Sequence, residues 1–555
     1  MPISTRKTTA NHHGSALLIT SAGINATREV GQGQLGHRGY WHARAGLVGL
    51  IAGFAASILA PALACAQALT DDVQRLVTKG RFGQATVGVS IIDTRTGDVL
   101  ASHRSGTSLI PASNQKLLTS GAALQVLRPE FNFTTELVIK DGVLVIRGSG
   151  DPALGDPEVL KRSEPPLTVE AVLDALAKAA SNGLGVGNVD VKRVQELVID
   201  DRVFDREFIH PDWPERNFSQ PHSAQIAGVN FRANTLAVFP RPNPDGVGTA
   251  PMIAMEPLAP WIRIENRART VGQGQNTIGF SRAIGTNNFV LTGSVRFPSK
   301  APIEATIDTP PMFFGQVLVA HLSRAGVEIG GRAAGAGDVP AGVRLATDDD
   351  NFEGGTVLAV INTPIGEILQ RCNADSENIY AEALLKRMGH EISKAPGSWA
   401  NGSAVVRMVL SEKLGAEQAA STVVADGSGI SRNNAVSPST ITRFLDVMAS
   451  DSKLRGPYIK SMATPGNGTL RSRFGNANLK NELHAKSGFI NGVRTLSGYV
   501  IDPERDRTIA FSVMINNITT GDQTTAAMAL HEDVVKLIDL YLEGRKKTDQ
   551  PKLGG

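Results

Sequence analysis

Cysteine is nearly absent from the 555 residues: only Cys65 and Cys372 occur, the first inside an apolar run near the N-terminus. A disulfide framework is therefore excluded, and a chain of this length must hold itself together by the size of its cores, more than one of which is expected. Neither C-x-x-C nor H-E-x-x-H appears, which removes the usual patterns for a protein-bound zinc. No cofactor is expected. G-x-S-x-G is missing as well, so the nucleophile elbow of Ser-His-Asp hydrolases is not available. Aromatic residues make up only 5%, and 56 basic residues stand against 53 acidic ones. That balance gives no strong field and no basic stripe for nucleic acid, so a nucleic-acid partner is not expected. Repeats of 20 to 50 residues are also lacking, against a solenoid or propeller.

Long hydrophobic runs are missing with one exception. Ala45 to Ala66 carries no charge and follows a leader containing Arg6, Lys7, Arg28, Arg38 and Arg44. Its small residues offer A-x-A cleavage after Ala66 or Ala68, so residues 1–66 read as an export signal and the mature chain begins near Gln67. An uncleaved anchor and a lipoprotein modified at Cys65 stay open as alternatives, as does the true start, because the leader is unusually long.

What is present reads as an α+β protein. A short helical pattern at 70–78 precedes "ATVGVSIIDTRTGDVLASH", two strands about a turn. Pro111 then starts a helix of about four turns, with Leu117, Leu118, Gly121, Leu124 and Leu127 as its buried face and Pro129 as its stop. From 131 to 344 the chain is mostly short strands between Gly, Pro and Asn clusters, interrupted by helices near 169–180 and 311–325. The last part, from about 345 to 547, opens with the strand "TVLAVINTP". Two helices flank the loop "NADSE", three consecutive strands follow from "ELHAKSGFI", and a helix carries Met528, Leu530, Val534, Ile538 and Tyr541 on one side. Elements with one apolar face each pack as an antiparallel sheet covered by helices. Residues 548–555 read as a tail.

The stretch "PASNQK" holds the first candidate chemistry. A serine hydroxyl needs a base to become a nucleophile, and a lysine kept out of water can serve. Ser113 and Lys116, three apart on a helix start, share a face and sit beside free backbone N–H groups. The string alone is cheap, since it recurs at Ser4 with Lys7 and at Ser450 with Lys453. Two further elements give it company: "SEN" at Ser376 to Asn378, in the loop between helices, and "KSG" at Lys486 to Gly488, on a strand. Each also reads innocently, Ser376 as a helix cap and Lys486 as a solvated strand lysine beside a bulge glycine. A second S-x-N at Ser431 to Asn433 shows that this motif is common too.

S-x-x-K, S-x-N and K-[ST]-G in this order resemble the serine enzymes that act on penicillin and on cell-wall peptides. The long insertion between Ser113 and Ser376, with "GSGDPAL" at 148–154, "LVIDDRVFD" at 197–205 and "ADGSGISRNNAVSP" at 425–438, narrows this. The chain resembles the class C low-molecular-mass penicillin-binding proteins, D-alanyl-D-alanine carboxypeptidases and endopeptidases of the penicillin-binding protein 4 type, over residues 70–545. The resemblance implies a penicillin-binding/β-lactamase-like transpeptidase fold built from 67–130 and 345–547, with 131–344 inserted as accessory domains away from the serine. It implies that Ser113 attacks the peptide bond between two D-alanines, Lys116 takes its proton, and Ser376 relays a proton to the leaving amine. Asn378 then holds the substrate backbone, Lys486 and Ser487 meet its carboxylate, and the N–H groups of Ser113 and Phe489 beside Gly488 form the oxyanion hole. Serine at 487 replaces the more usual threonine and keeps the hydroxyl. Asp426 and Ser428 fall in a family signature that a tight Gly-rich turn explains equally well.

The partners implied are peptidoglycan peptides and, as covalent inhibitors, β-lactams, with an exported, periplasmic location. Peripheral membrane association and oligomeric state stay open. The alternative functions are a β-lactamase or esterase on the same scaffold, and a wall-binding protein without catalysis. Asp200, Asp201 and Asp205 read as turn residues rather than paired carboxylates, and His103 and His484 as strand residues.

Overall fold

The computed structural model describes residues 18–20, 69–184, 192–330 and 340–544. Apart from the three-residue strand Leu18–Thr20, the expected export signal lies outside them, as do Ser4 with Lys7 and the tail.

Three strands in succession, Glu482–Ile490, Val493–Asp502 and Arg507–Asn516, form the larger part of a five-stranded antiparallel sheet. The hairpin Thr86–Asp93 and Val99–His103 completes it, with Thr86–Asp93 paired to Arg507–Asn516. The central strands are buried almost throughout because both faces are covered. On one face the helix over 69–79 and the helix Gly521–Glu543 pack Val73, Leu530, Val534 and Ile538 against Val87, Val89, Phe511 and Val513. Thr520 and Gln523 form a capping box at the start of the long helix, and Gly544, with φ +69°, ends it.

The other face carries the helices Gln115–Leu127, Ile365–Asn373, Asn378–Ser393, Trp399–Leu414 and Pro438–Ser450, which reach Tyr499, Ala510 and Met514 of the sheet. Gln115–Leu127 departs from its sequence pattern. Its apolar face is buried as expected, but so are Gln115, Lys116, Thr119 and Ser120, because the helix runs through the middle of the helical layer. Two of these polar groups are matched: Thr119 Oγ1 donates to the Gly427 carbonyl at 2.8 Å, and Asn373 Nδ2 donates to Ser120 Oγ at 3.0 Å, whereas the buried Gln115 amide finds no hydrogen-bond partner among the described residues. At Gly121 a Cβ would stand 2.4 Å from the Phe444 ring, so only glycine lets helix Pro438–Ser450 approach.

The insertion is mostly β, as expected. A six-stranded sheet runs in the order Leu18–Thr20, Thr356–Pro364, Asn132–Lys140, Val143–Gly148, Leu197–Asp200, Val343–Leu345. Helices Val169–Leu184 and Pro310–Arg324 cover it with Leu173, Leu176, Phe313 and Val317. Smaller sheets, including Thr235–Arg241 with Met252–Glu256 and Ile303–Thr306, complete it. One boundary differs from expectation. Thr356–Pro364, read from sequence as opening the last part, pairs along its length with Asn132–Lys140, so the inserted sheet continues past 345 and ends at Pro364. An eight-residue pairing between distant segments leaves no local trace in a strand pattern, which is why a Gly-rich stretch looked like the border.

Candidate active site

The serine lies in a single 3-10 turn, Ala112–Asn114, set immediately before helix Gln115–Leu127. Ala112 is held at φ +46°, a conformation costly for alanine, and the sheet pins the turn on both sides. Thr495 Oγ1 donates to the Pro111 carbonyl at 2.9 Å, and Asn114 Nδ2 donates to Ser497 Oγ at 2.6 Å. Lys116 points inward and is fully buried. Its Nζ lies 3.2 Å from Ser113 Oγ, 2.5 Å from Asn378 Oδ1 and 3.0 Å from the Ser428 carbonyl oxygen. Three acceptors match the three protons of an ammonium, while burial pulls the pKa below that of an ordinary lysine. Once the amine is neutral, its lone pair is within reach of the serine hydroxyl.

Ser376 and Asn378 arrive from the short connection between helices Ile365–Asn373 and Asn378–Ser393. Ser376 takes φ +67°, a left-handed conformation that a serine adopts only under constraint, and this aims its hydroxyl at Lys486. Lys486 Nζ donates to Ser376 Oγ at 2.8 Å and to the Ser487 carbonyl at 2.7 Å. Lys486 is also fully buried, and its pKa is pushed well down, first by burial and then by the neighbouring Lys116.

The strand Glu482–Ile490 is the outer strand of the sheet, and its free edge faces this cluster. Ala485 N–H donates to the Ala463 carbonyl at 2.9 Å, away from strand Val493–Asp502. With a two-residue period, the N–H groups of Ser487 and Phe489 point to the same open side. A Cβ at Gly488 would stand 3.1 Å from the Ser113 nitrogen, 3.0 Å from the Pro111 carbonyl and 2.1 Å from Thr495 Oγ1. The glycine thus lets strand and serine turn touch, and the N–H groups of Ser113 and Phe489 come to border one space. The Phe489 ring itself is exposed, with the Arg494 guanidinium 3.9 Å above it.

Sequence reasoning missed the support beneath Lys116. Glu382, fully buried one turn after Asn378, accepts from the backbone N–H of Gly427 at 2.9 Å and of Ser428 at 2.8 Å, and from Trp399 Nε1 at 2.9 Å. Burial, with Asp426 nearby, pushes its pKa up to about 7. Asp426 accepts from Gly429 N–H at 2.8 Å, Ser431 N–H at 2.6 Å, Asn434 Nδ2 at 2.7 Å and Trp213 Nε1 at 3.0 Å. These two carboxylates fold the loop 426–431 so that the Ser428 carbonyl meets Lys116. The Gly-rich turn and the contact with the lysine are therefore one feature. The available signal was an acid four residues after Asn378 in an otherwise apolar helical stretch, "IYAEALL".

The insertion also comes closer than the expected accessory role implied. The His222 carbonyl accepts from Asn378 Nδ2 at 2.7 Å, His210 Nε2 lies 2.9 Å from the Ala425 carbonyl, and Lys386 donates to Asp205 at 2.6 Å. Residues 205–222 thus brace the loop and helix that hold Lys116.

The remaining candidates fall elsewhere. Ser450 and Lys453 are exposed at a helix end, and Ser431 Oγ donates to Asp212 at 2.9 Å rather than joining the lysines. Asp200 pairs with Arg202 and Asp201 with Arg206, each in an ion pair rather than with another acid. His103 and His484 lie on strands. Cys372 is buried and its thiol is pushed up to about 12 by burial. Among the described residues no cluster of His, Cys, Asp and Glu is arranged to hold a metal, and no helix is long and apolar enough to cross a membrane.

Residues 69–535 match the D-Ala-D-Ala carboxypeptidase 3 (S13) family. The D-alanyl-D-alanine carboxypeptidase of Actinomadura sp. (strain R39) is 31% identical over 85% of each chain. A penicillin-sensitive carboxypeptidase A of Dictyostelium discoideum is 25% identical, over 78% of this chain and 82% of that relative. The crystal structure of penicillin binding protein 4 from Haemophilus influenzae superposes with a TM-score of 0.63 at 21% identity, covering 85% of this chain and 99% of that one. That likeness is in fold.

Proposed function

We infer the mechanism from one premise: the chain belongs to the D-Ala-D-Ala carboxypeptidase 3 (S13) family. It is a serine-type D-Ala-D-Ala carboxypeptidase, a serine peptidase of the penicillin-binding kind. The roles of its residues are our proposal, carried by the 3.2 Å contact between Lys116 Nζ and Ser113 Oγ inside a buried cluster that also contains Asn378, and beside it Ser376 with Lys486.

Neutral Lys116 takes the Ser113 proton as Oγ adds to the carbonyl carbon between two D-alanines. The oxyanion accepts from the N–H groups of Ser113 and Phe489, an interaction whose loss typically costs about 3 kcal/mol in barrier. The C–N bond then breaks, a proton passes through Ser376 to the departing amine, and the ester on Ser113 is hydrolysed by water. Lys486 and Ser487 receive the terminal carboxylate. Lys486 is poorly suited to a charge in the free protein, because burial and Lys116 both disfavour it. A bound carboxylate reverses that balance, so the substrate supplies the counter-charge that keeps Lys486 protonated.

The Dictyostelium relative is a penicillin-sensitive carboxypeptidase, which supports trapping of the same ester by β-lactams. The substrate class, peptidoglycan stem peptides, and the uncharged run at 45–66 together support export with processing near Gln67. Intact mass of the exported protein checks this.

The activity is tested by D-alanine release from a pentapeptide stem, set against hydrolysis of a chromogenic cephalosporin. The proposal expects the first, and expects labelling by fluorescent penicillin to vanish in Ser113→Ala. Cephalosporin turnover without D-alanine release favours a β-lactamase, and labelling that survives in the variant removes Ser113 as nucleophile.

A further inference from the structure

We propose that Phe489 and Arg494 form an outer wall of the carboxylate site and set its preference: an ionised carboxylate on a carbon flanked by apolar substituents, such as the methyl of a terminal D-alanine or the two methyls beside the carboxylate of a penicillin. This rests on the roles proposed above for Ser113, Lys486 and Ser487 and adds a selecting element to them.

The placement follows from the strand register. Ser487 and Phe489 are two residues apart, so their side chains leave the strand Glu482–Ile490 by the same face, roughly 7 Å from each other along the strand. Across the ladder they stand opposite Leu496 and Arg494. This is the face covered by helix Gly521–Glu543, since Leu496 shares a core with Leu530 and Val534. Lys486 and Gly488 belong to the opposite face, against Ser376 and the serine turn. A carboxylate held by both Lys486 and Ser487 therefore sits over the open edge between the two faces. Next along that edge is the Phe489 ring, whose own N–H borders the scissile carbonyl.

The ring does not serve the core. Phe489 is 66% exposed and belongs to none of the hydrophobic clusters, whereas Leu496, its neighbour on the same face, is fully buried. One side of the ring is covered. The Arg494 guanidinium lies 3.9 Å from the ring centroid and is held there by its Nη1, which donates to the carbonyls of Val493 at 2.8 Å and Ile490 at 3.3 Å. Among the described residues Arg494 has no ion-pair partner. Its surroundings are basic as well: the pKa of buried His531 is pushed well below that of an ordinary histidine, first by burial and then by Arg473 and Arg494. An aromatic face carries negative charge and by itself repels a carboxylate. A cation on the far face offsets that repulsion, and because the guanidinium is half-buried, water and salt screen it incompletely. The open side of the ring is left to touch apolar carbon, the contact that a terminal methyl offers. Lys486 and Ser487 read only the charge; the wall joins to it a demand for hydrocarbon beside that charge.

Two ratios test it. The first is the rate constant for acylation by benzylpenicillin divided by that for its methyl ester, which keeps the shape and loses the charge. Arg494→Gln is expected to lower this ratio at least fivefold and Arg494→Lys to keep most of it; a purely structural role for Arg494 would slow both compounds alike. The second is kcat/KM for a peptide ending in D-Ala-D-Ala divided by kcat/KM for one ending in D-Ala-glycine. Phe489→Ala is expected to lower it at least threefold, mainly through KM, and Phe489→Tyr, which keeps the ring, to hold it within twofold of wild type. A first ratio unchanged in Arg494→Gln overturns the role of the charge, and a second ratio unchanged in Phe489→Ala overturns the role of the ring. Either result removes the wall as proposed, while the carboxypeptidase assignment stands. Wild-type protein that releases no D-alanine and takes no penicillin overturns the proposed mechanism, and this inference with it.

Discussion

Replacing Gly429 by alanine probes how tightly the loop must approach the nucleophile. Gly429 has φ +88°, and a Cβ there would stand 1.8 Å from the Ala112 carbonyl oxygen and 3.1 Å from the Ser113 nitrogen. Ordinary contact begins near 3.4 Å, so loop and serine turn must part by about 1.6 Å, and both partners are backbone that cannot rotate away. The left-handed conformation adds about 1–2 kcal/mol for a residue with a Cβ. The parting carries the Ser428 carbonyl, now 3.0 Å from Lys116 Nζ, out of hydrogen-bond range or takes the amine with it, away from Ser113. Misplacement by about 1 Å costs on the order of 100-fold in rate. We therefore expect kcat/KM for pentapeptide and the rate of acylation by fluorescent penicillin to fall together, by about 100-fold. The assays are run well below the unfolding midpoint so that the lost stability does not contribute. Acylation within threefold of wild type would show that the loop does not set the position of Lys116, and the account of the site would fail.

Glu382→Gln removes the negative charge that raises the Lys116 pKa, so the acid limb of the kcat/KM profile, which reports deprotonation of that lysine, moves to lower pH; a move to higher pH refutes the assignment. Because the Glu382 carboxyl is held near 7, above its ordinary 4.5, the folded protein binds that proton more tightly than the unfolded chain. The stability it contributes is full below about pH 4.5 and is lost as pH rises through about 7, a dependence the variant lacks in denaturant titrations across that window. Lys386→Met breaks the pair with Asp205 and the contact with the Trp399 ring at 3.8 Å. Asp205 keeps 30% of its side-chain surface in water, so the expected loss, read by urea unfolding, is about 1–2 kcal/mol rather than the larger cost of a fully buried broken pair. Thr495→Val removes the sheet's donor to the Pro111 carbonyl at similar volume, leaving only the Asn114 N–H on it, costing about 1 kcal/mol in stability and slowing acylation; an unchanged acylation rate would show that the sheet does not hold the serine turn.

Where a residue's role depends on its own element, the sequence was readable. Pro111 and the apolar spacing announced the serine helix, and three strand patterns announced the sheet edge that carries Lys486. The S-x-x-K string was ambiguous alone, and its other described copy, Ser450 with Lys453, is exposed at a helix end. What separates the two is burial and company, which only the fold supplies. Glu382 escaped because an acid in an apolar helix has no local reason to be there; its reason is the backbone of 427 and 428, brought in from elsewhere in the chain. The strand Thr356–Pro364 went to the wrong side of the boundary for a related cause. Its pattern fits any sheet, and its partner at 132–140 is distant in sequence. The reach of residues 205–222 into the site was likewise invisible, since Trp213 and His210 look like ordinary core residues until Asp426 and the Ala425 carbonyl are placed against them.

The buried charges explain why those distant supports are needed. Two amines, Lys116 and Lys486, are withdrawn from water in one cluster, and unopposed they would repel each other and resist burial. Glu382 and Asp426 lie behind the loop, each saturated by backbone N–H and indole donors, so they moderate the lysines without forming a direct ion pair that would fix a proton on Lys116. A carboxylate in direct contact would hold that lysine charged and useless as a base. A carboxylate one peptide unit away, acting through the Ser428 amide and carbonyl, orients the amine while leaving its pKa depressed. In the proposed mechanism the substrate's own carboxylate then arrives at Lys486 rather than at Lys116, and draws a proton to the lysine that needs one. On that mechanism, the separation of Lys116 from Lys486 across the Ser376 connection is what would allow two identical side chains to hold opposite protonation states during one reaction.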